Sequence, residues 1–274
     1  MPSGKQIGKV QGRITMEVTV SGKRDRQDAR YFGRRRGGDR RTFWLMVAVV
    51  LIKPVLLILN RRTWSGMRNV PMKGGVIFAC NHISQADPLS VAHYVYNTGR
   101  NPRFLAKDGV FKLPVVGRII EWTGQIPVYR GGADAIKSLH TAIEKVDNGF
   151  AVMFYPEGTT SKQPEHWPMR GRTGVARLAL ETGAPVIPLT VWGPHRLYDP
   201  IRKRLRLRPR TPVEVTAGPA VDLSEWEGAE PTLENLQAMT DAIMLVVRDQ
   251  LARVRGEEAP PLYDHKVAKT RKDV

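Results

Sequence analysis

Short apolar runs alternate with helical patterns through the middle of the chain. Five runs are typical of buried strands: GVIFAC (75–80), RFLA (103–106), QIPVY (125–129), AVMFY (151–155) and PVIPLTVW (185–192). Apolar residues spaced three and four apart predict helices between some of these runs, over 133–146 and 173–183. The alternation predicts an α/β fold with a mixed, largely parallel sheet flanked by helices.

The C-terminal third of the chain continues this pattern. Polar and apolar residues alternate in TPVEVTAGPAV (211–221), which predicts an edge strand. An amphipathic helix is predicted over 231–255, with Pro231 favouring its start. We therefore assign 63–255 to one domain and 256–274 to a charged, flexible tail.

A longer apolar run, TFWLMVAVVLIKPVLLIL (42–59), precedes that domain. As a helix it covers about 25 Å, which is short of the roughly 30 Å hydrocarbon core of a bilayer. Pro54 interrupts it, and Arg61 and Arg62 follow it. We predict that 42–62 is a kinked, membrane-associated helical segment lying in one leaflet. The alternative is a buried first helix of the α/β domain.

The first 41 residues are basic and poor in large apolar side chains. They hold twelve Lys and Arg against four acids, a composition that cannot build a core and predicts a disordered leader over 1–41. Both the leader and the apolar segment look separable from the α/β pattern. Deleting residues 1–62 is therefore expected to release the protein from membranes and to leave the core folded.

Positive charge dominates the whole chain. The sequence has 43 Lys and Arg against 26 Asp and Glu, a formal net charge of +17, which predicts an anionic partner. The stretch RKRLRLRPR (202–210), interpreted as a strand, places Arg204, Arg206 and Arg208 on one face. A nucleic-acid-binding protein could use such a face, but we find no nucleic-acid module and no interleaved stacking aromatics. We expect an anionic membrane surface as partner, and no nucleic acid.

Several classes of site are excluded or disfavoured by composition. A single cysteine, Cys80, excludes an intramolecular disulfide and fits a reducing compartment. No CxxC or HExxH spacing is present, so no metal site is predicted. No GxSxG elbow is present either, which argues against a serine acyl-enzyme.

The candidate chemistry begins in FACNHISQADPLS (78–90), where an apolar run stops. His82 and Asp87 would lie about 140° apart on a regular helix, so they can meet only across a turn. Asp87 as N-cap with Pro88 at the first helical position favours such a turn followed by a helix. The carboxylate could then orient one imidazole nitrogen and leave the other basic. Alternatively, these polar residues only satisfy a strand end and cap a helix.

Three more strand ends carry polar blocks, and together with the first they resemble the glycerolipid acyltransferase family. The blocks are NHISQAD (81–87), GQIPVYR (124–130), YPEGT (155–159) and VIPLTV (186–191). The resemblance covers roughly residues 65–220, and four ordered blocks are far more specific than a lone HxxxxD. Relatives often have Arg after FPEGT, where this chain has Thr160.

The resemblance implies transfer of a fatty acyl group from a thioester to the sn-2 hydroxyl of 1-acylglycerol-3-phosphate. The product would be phosphatidic acid for phospholipid biosynthesis. The co-substrate would be acyl-CoA or acyl carrier protein, with no cofactor, and the site would lie at the cytoplasmic face of the cell membrane. His82 would be the catalytic base and Asp87 its partner. The alternatives are another lyso-lipid acceptor, or a non-catalytic basic protein that binds membrane or nucleic acid.

The resemblance also implies an acceptor site, which we assign to Arg130, Glu157, Gly158, Thr159, Lys107 and Arg172. Arg130 is the best phosphate ligand because a planar guanidinium can pair bidentately with phosphate oxygens. Glu157 would orient Arg130 or the glycerol hydroxyls. Lys107 and Arg172 are candidates for the positive charge that relatives often have at the position of Thr160.

Overall fold

The protein was analysed as a computed structural model, which describes residues 43–129, 132–163 and 165–264, with the backbone only at 132–135. The strands are β1 (Asn60–Ser65), β2 (Val76–Cys80), β3 (Pro102–Lys107), β4 (Ile126–Val128), β5 (Ala151–Phe154), β6 (Val186–Trp192), β7 (Tyr198–Asp199), β8 (Arg204–Leu205) and β9 (Thr211–Ala217). The α-helices are α1 (Phe43–Leu59), α2 (Asp87–Asn97), α3 (Asp108–Phe111), α4 (Val116–Trp122), α5 (Gly132–Asp147), α6 (Gly174–Thr182) and α7 (Leu233–Arg255).

Seven strands form one sheet in the order β1-β9-β6-β2-β5-β3-β4. Neighbouring strands are parallel except β6 and β9, which confirms the predicted mixed, largely parallel sheet. Every residue of β2 is buried, because α2 packs on one face of the sheet and α5, α6 and α7 pack on the other. Strands covered on both faces explain the unbroken apolar runs in the sequence.

The prediction that 211–221 forms an edge strand is wrong. β9 lies between β1 and β6, and the edge position belongs to β1, whose polar sequence NRRTWS gave no strand signal. β1 pairs in parallel with β9 over six residues, from Asn60 opposite Thr211 onward. A deletion of residues 1–62 would therefore remove half of this edge strand, so we expect it to weaken the pairing of β1 with β9.

The apolar segment forms α1, which contains Pro54 and lies against the domain. Leu45 and Leu56 are buried, and the Trp44 ring stacks on Trp122 of α4 with ring centroids 4.1 Å apart. Much of the remaining helix surface is apolar and exposed: Phe43, Met46, Val50, Leu51, Val55, Leu57 and Ile58. Among the described residues, no helix combines the length and apolarity needed to cross a membrane.

Some sequence predictions fall outside the described part of the chain or are only partly met. The leader over 1–41, Arg130 and the last ten residues of the tail lie outside the described residues. Within 202–210, predicted as a strand, only β8 is extended and paired, and it bonds to β7 in a separate two-stranded sheet. All ten residues of 201–210 are exposed, so no neighbouring element covers a face of this stretch.

Candidate active site

The loop between β2 and α2 brings His82 and Asp87 together. His82 Nδ1 lies 3.0 Å from Asp87 Oδ2, as predicted from the turn. The Asp87 side chain is fully buried, whereas the His82 side chain keeps 17% of its surface exposed. His82 Nε2 forms no hydrogen bond with a described residue, so the pair presents one free ring nitrogen to the solvent side.

Asp87 is not the helix N-cap that the sequence predicted. Ala86 takes that position, and Asp87 is the first residue of α2. Its Oδ2 instead accepts hydrogen bonds from the backbone N–H groups of Ile83 (2.6 Å) and Ser84 (2.8 Å). Burial raises the pKa of Asp87, against the lowering effect of His82 and of these two N–H donors. The carboxylate thus fixes both the loop backbone and the imidazole ring.

Glu157 supports the same loop from the strand beside it. Its Oε1 accepts from the His82 N–H (2.9 Å) and its Oε2 from the Met169 N–H (3.0 Å). Ser161 N–H donates to the His82 carbonyl oxygen at 2.6 Å, so the 157–161 loop holds both backbone groups of His82. Both oxygens of Glu157 therefore bond the protein itself, an arrangement that braces the loop rather than facing an acceptor.

Some of the other candidates lie at the end of the sheet formed by the carboxyl ends of its parallel strands. β2, β5, β3 and β4 are adjacent and parallel, so His82, Glu157 and Lys107 all lie at or just after the carboxyl ends of strands. Lys107 is exposed and in register with Val128, two residues before Arg130. Thr159 is half-buried in the 157–161 loop.

Arg172 lies against the 157–161 loop at Gly158. Gly158 has φ +68°, and a Cβ at this position would meet Arg172 Nε at 3.0 Å. Arg172 also donates its backbone N–H to the Pro156 carbonyl oxygen at 2.8 Å. A glycine is thus required both by the left-handed backbone and by the close approach of the guanidinium, which places a cation beside the brace of the catalytic loop.

Comparison with known proteins agrees with this arrangement. Residues 61–192 match the family model described as Acyltransferase. This segment, 132 of the 274 residues, is similar to that family. A chloroplastic 1-acyl-sn-glycerol-3-phosphate acyltransferase of Brassica napus is 31% identical over 130 residues, which cover 47% of this chain and 36% of the relative. The enzyme of the same name from Borreliella burgdorferi is 26% identical over 193 residues, covering 69% of each.

The match spans about a third of the length of the Brassica napus relative and of a similar chloroplastic enzyme from Arabidopsis thaliana. Among solved structures, the 1-acyl-sn-glycerophosphate (LPA) acyltransferase PlsC of Thermotoga maritima superposes with a TM-score of 0.57. The two chains are 22% identical, and the superposition covers 79% of this chain and 82% of that one. At this identity the likeness shows that the acyltransferase domain shares the fold of PlsC.

The sequence did not reveal three side chains that shape this candidate site. Asn81 bonds both backbone groups of Val191, donating to the carbonyl oxygen at 3.0 Å and accepting from the N–H at 2.8 Å. Ser84 Oγ donates to the Tyr198 carbonyl oxygen at 2.8 Å. The Tyr155 ring lies 4.4 Å from the His82 ring, tilted by 30°. Asn81 and Ser84 lie in the first block and Tyr155 opens the third block, but the blocks alone did not indicate these contacts.

Burial of Glu157 has a consequence for stability. Desolvation raises its pKa to about 8, outweighing the two N–H donors that favour the carboxylate. In the unfolded chain a glutamate has a pKa of about 4.3. At pH values between that pKa and the folded one, Glu157 is protonated in the folded protein and ionised in the unfolded chain. The contribution of Glu157 to stability is therefore complete at low pH and declines as the pH rises toward 8.

We expect this decline to appear as a difference between the unmodified protein and Glu157→Gln, which cannot titrate. From pH 5 to pH 8, the free energy of unfolding of the unmodified protein should fall relative to the variant, by up to about 1.4 kcal/mol per pH unit. Denaturant titrations of both proteins across this range measure it. A difference that stays constant with pH would show that Glu157 does not titrate in this window.

Proposed function

We propose that this protein is a membrane-associated acyltransferase that moves a fatty acyl group from an acyl thioester to the sn-2 hydroxyl of 1-acylglycerol-3-phosphate, producing phosphatidic acid. The observation that carries the proposal is the hydrogen-bonded His82–Asp87 pair with one free ring nitrogen, within an acyltransferase-family domain. The printed names of the Brassica and Borreliella relatives support the choice of acceptor.

His82 acts as general base in this proposal. Its Nδ1–H donates to Asp87 Oδ2, so Nε2 takes the proton of the sn-2 hydroxyl as that oxygen attacks the thioester carbonyl carbon. The tetrahedral intermediate then expels the thiolate, which recovers the proton from the imidazolium, and the new ester is released. Asp87 holds the tautomer and stabilises the imidazolium between these steps.

Direct transfer, without an acyl-enzyme on Cys80, is supported by the surroundings of the thiol. Cys80 has no exposed surface, and burial raises its pKa well above the usual range, with the Asp87 charge acting in the same direction. A thiolate is the nucleophilic form of cysteine, so this residue is poorly suited to carry the acyl group. The acyl donor and the acceptor would therefore be bound together.

Arg130 remains our proposed ligand for the acceptor phosphate, and Lys107 and Arg172 are further candidate cations. The phosphate does not change during acyl transfer, so a contact to it is equally strong in the ground and transition states and affects KM rather than kcat. A charge-assisted pair contributes roughly 1.5–3 kcal/mol. Arg130→Ala is therefore expected to raise the acceptor KM by about ten- to a hundredfold, with the donor KM little altered.

Steady-state kinetics with both substrates varied measure this effect, and Arg177→Ala, on helix α6, is the matched loss of charge. If kcat falls and the acceptor KM is unchanged, Arg130 acts on the reacting groups instead. Lys107→Ala and Arg172→Ala in the same assay show whether either cation shares the phosphate.

The complete proposal is tested by acyl transfer with purified protein. Lysophosphatidic acid, lysophosphatidylcholine and lysophosphatidylglycerol are compared as acceptors, with acyl-CoA and acyl carrier protein thioesters as donors. Preference for lysophosphatidic acid supports the proposal. Equal turnover of an acceptor without a phosphomonoester would favour the second candidate, another lyso-lipid acceptor, which Thr160 in place of the frequent arginine already suggests.

The proposed partner is the anionic surface of the cell membrane at its cytoplasmic face. α1 supports this placement because it exposes a long apolar surface, with Val50 at 70% and Leu51 at 66% exposure. Aliphatic side chains of this kind are stabilised by transfer from water into the acyl region of a bilayer.

A further inference from the structure

A basic, partly apolar hairpin projects from the domain next to the catalytic loop. We define the arginine hairpin as residues 198–210, which contain β7, β8 and the chain that follows them. Residues 201–210 carry six cations and no acid, and every one of them is exposed. Three large apolar side chains lie among the cations with most of their surface in solvent: Ile201 at 73%, Leu205 at 62% and Leu207 at 63%.

The base of the arginine hairpin is built around Asp199. This carboxylate accepts from the backbone N–H groups of Ile201 and Arg202, each at 3.0 Å. It also pairs with the side chains of Arg202 (3.7 Å) and Arg206 (3.4 Å). Four other cations form no ion pair with a described residue: Lys203, Arg204, Arg208 and Arg210. An organised base thus presents a cluster of uncompensated positive charge.

Two hydrogen bonds connect the arginine hairpin with functional parts of the molecule. The Arg210 N–H donates to the Ile58 carbonyl oxygen at the end of α1, at 3.0 Å. The Tyr198 carbonyl oxygen accepts from Ser84 Oγ, and Ser84 N–H donates to the Asp87 carboxylate. The hairpin therefore lies between the apolar helix and the loop that holds the catalytic pair.

We propose that the arginine hairpin binds the headgroups of anionic phospholipids and, through Ser84, holds the catalytic loop at the membrane surface. The proposal deepens the proposed function and rests on it for the role of the loop. Cations near an anionic bilayer are attracted electrostatically, while adjacent aliphatic side chains enter the interface. Ile201, Leu205 and Leu207 distinguish this partner from nucleic acid, whose phosphates would give no reason to expose three large aliphatic groups.

The test uses the full chain and vesicles, without substrate. Lys203, Arg204, Arg208 and Arg210 are all changed to Gln, which keeps both ion pairs of Asp199. The matched control changes Lys73, Lys137, Arg177 and Arg253 to Gln, removing the same charge from exposed or half-exposed positions elsewhere. Sedimentation compares vesicles of phosphatidylcholine alone with vesicles containing about one third phosphatidylglycerol.

The hairpin variant is expected to bind the phosphatidylglycerol vesicles at least about tenfold more weakly at low ionic strength, since each cation near the surface contributes up to about fivefold. The control variant should bind as the unmodified protein does. Equal losses in both variants, or loss of duplex DNA binding with unchanged vesicle binding, would overturn the proposal.

A second measurement tests the connection to the loop. The hairpin variant should lose turnover of acceptor embedded in phosphatidylglycerol vesicles and keep turnover of a dispersed short-chain acceptor. If the hairpin variant turns over the embedded and the dispersed acceptor at equal rates, each expressed relative to the control variant, the connection is refuted. Because vesicle binding is measured without substrate, a wrong assignment of the reaction would leave the binding result intact.

Discussion

Replacing His82 by alanine is expected to lower kcat for acyl transfer by about 10²–10⁴-fold, the contribution of a positioned general base. The alanine removes the ring nitrogen that would take the hydroxyl proton. The backbone of residue 82 keeps its bonds to Glu157 and Ser161, so the fold should be retained. Steady-state rates and a thermal melt measure the two effects, and His140→Ala, on the exposed surface of α5, is the matched control.

Asp87→Asn should cause a loss of similar size through a different route. The amide can replace the carboxylate as acceptor for one or two N–H groups, but it brings no charge to stabilise the imidazolium. Near-normal turnover in either variant would remove the pair from the mechanism.

Glu157→Ala is expected to be the most destabilising of the single substitutions considered. It leaves the buried N–H groups of His82 and Met169 without acceptors, at about 1–3 kcal/mol each, so the free energy of unfolding should fall by about 2–6 kcal/mol. Because the lost brace positions the catalytic histidine, kcat should fall while the acceptor KM changes little. Denaturant titration and two-substrate kinetics measure these effects.

Glu157→Gln keeps the results interpretable if the alanine variant does not fold. Glutamine retains one acceptor oxygen, so it should show an intermediate loss of stability and of kcat. Glu144→Ala, at an exposed position of α5, controls for loss of a carboxylate. A raised acceptor KM with unaltered stability would instead place Glu157 in the acceptor site, as the family resemblance implied.

The sequence predicted the interior of the sheet and its β4 edge well, and its β1 edge poorly. Strands such as β2 and β6 are covered on both faces, so burial forces a continuous apolar run that is visible in the chain. β1 forms because β9 offers a parallel partner for its backbone, and only Trp64 supplies a large apolar side chain. Pairing of this kind leaves no local signal. Polar and apolar residues alternate along β9, a pattern typical of an edge strand, although β1 pairs with it on the side away from β6.

The contact between His82 and Asp87 was predictable because a short loop and a helix start fix it locally. Its support was not, because Glu157, Met169 and Tyr198 reach the loop from distant parts of the sequence. The family resemblance assigned Glu157 to the binding site for the acyl acceptor. In the structure, both of its carboxylate oxygens accept hydrogen bonds from backbone N–H groups. Hydrogen bonds between remote segments depend on the assembled sheet, which residue spacing alone does not encode.

The pairing of β1 with β9 also sets an order of events during synthesis. About 150 residues separate Asn60 from Thr211, so at 5–20 residues per second the partner strand is made roughly 8–30 s after β1. During that interval α1 has already left the ribosome, while the strand that follows it has no neighbour to pair with. The apolar helix is therefore available to a nascent-chain receptor or to a lipid surface before the domain can close. For a membrane-associated enzyme of the proposed kind, contact with the lipid surface would precede completion of the fold.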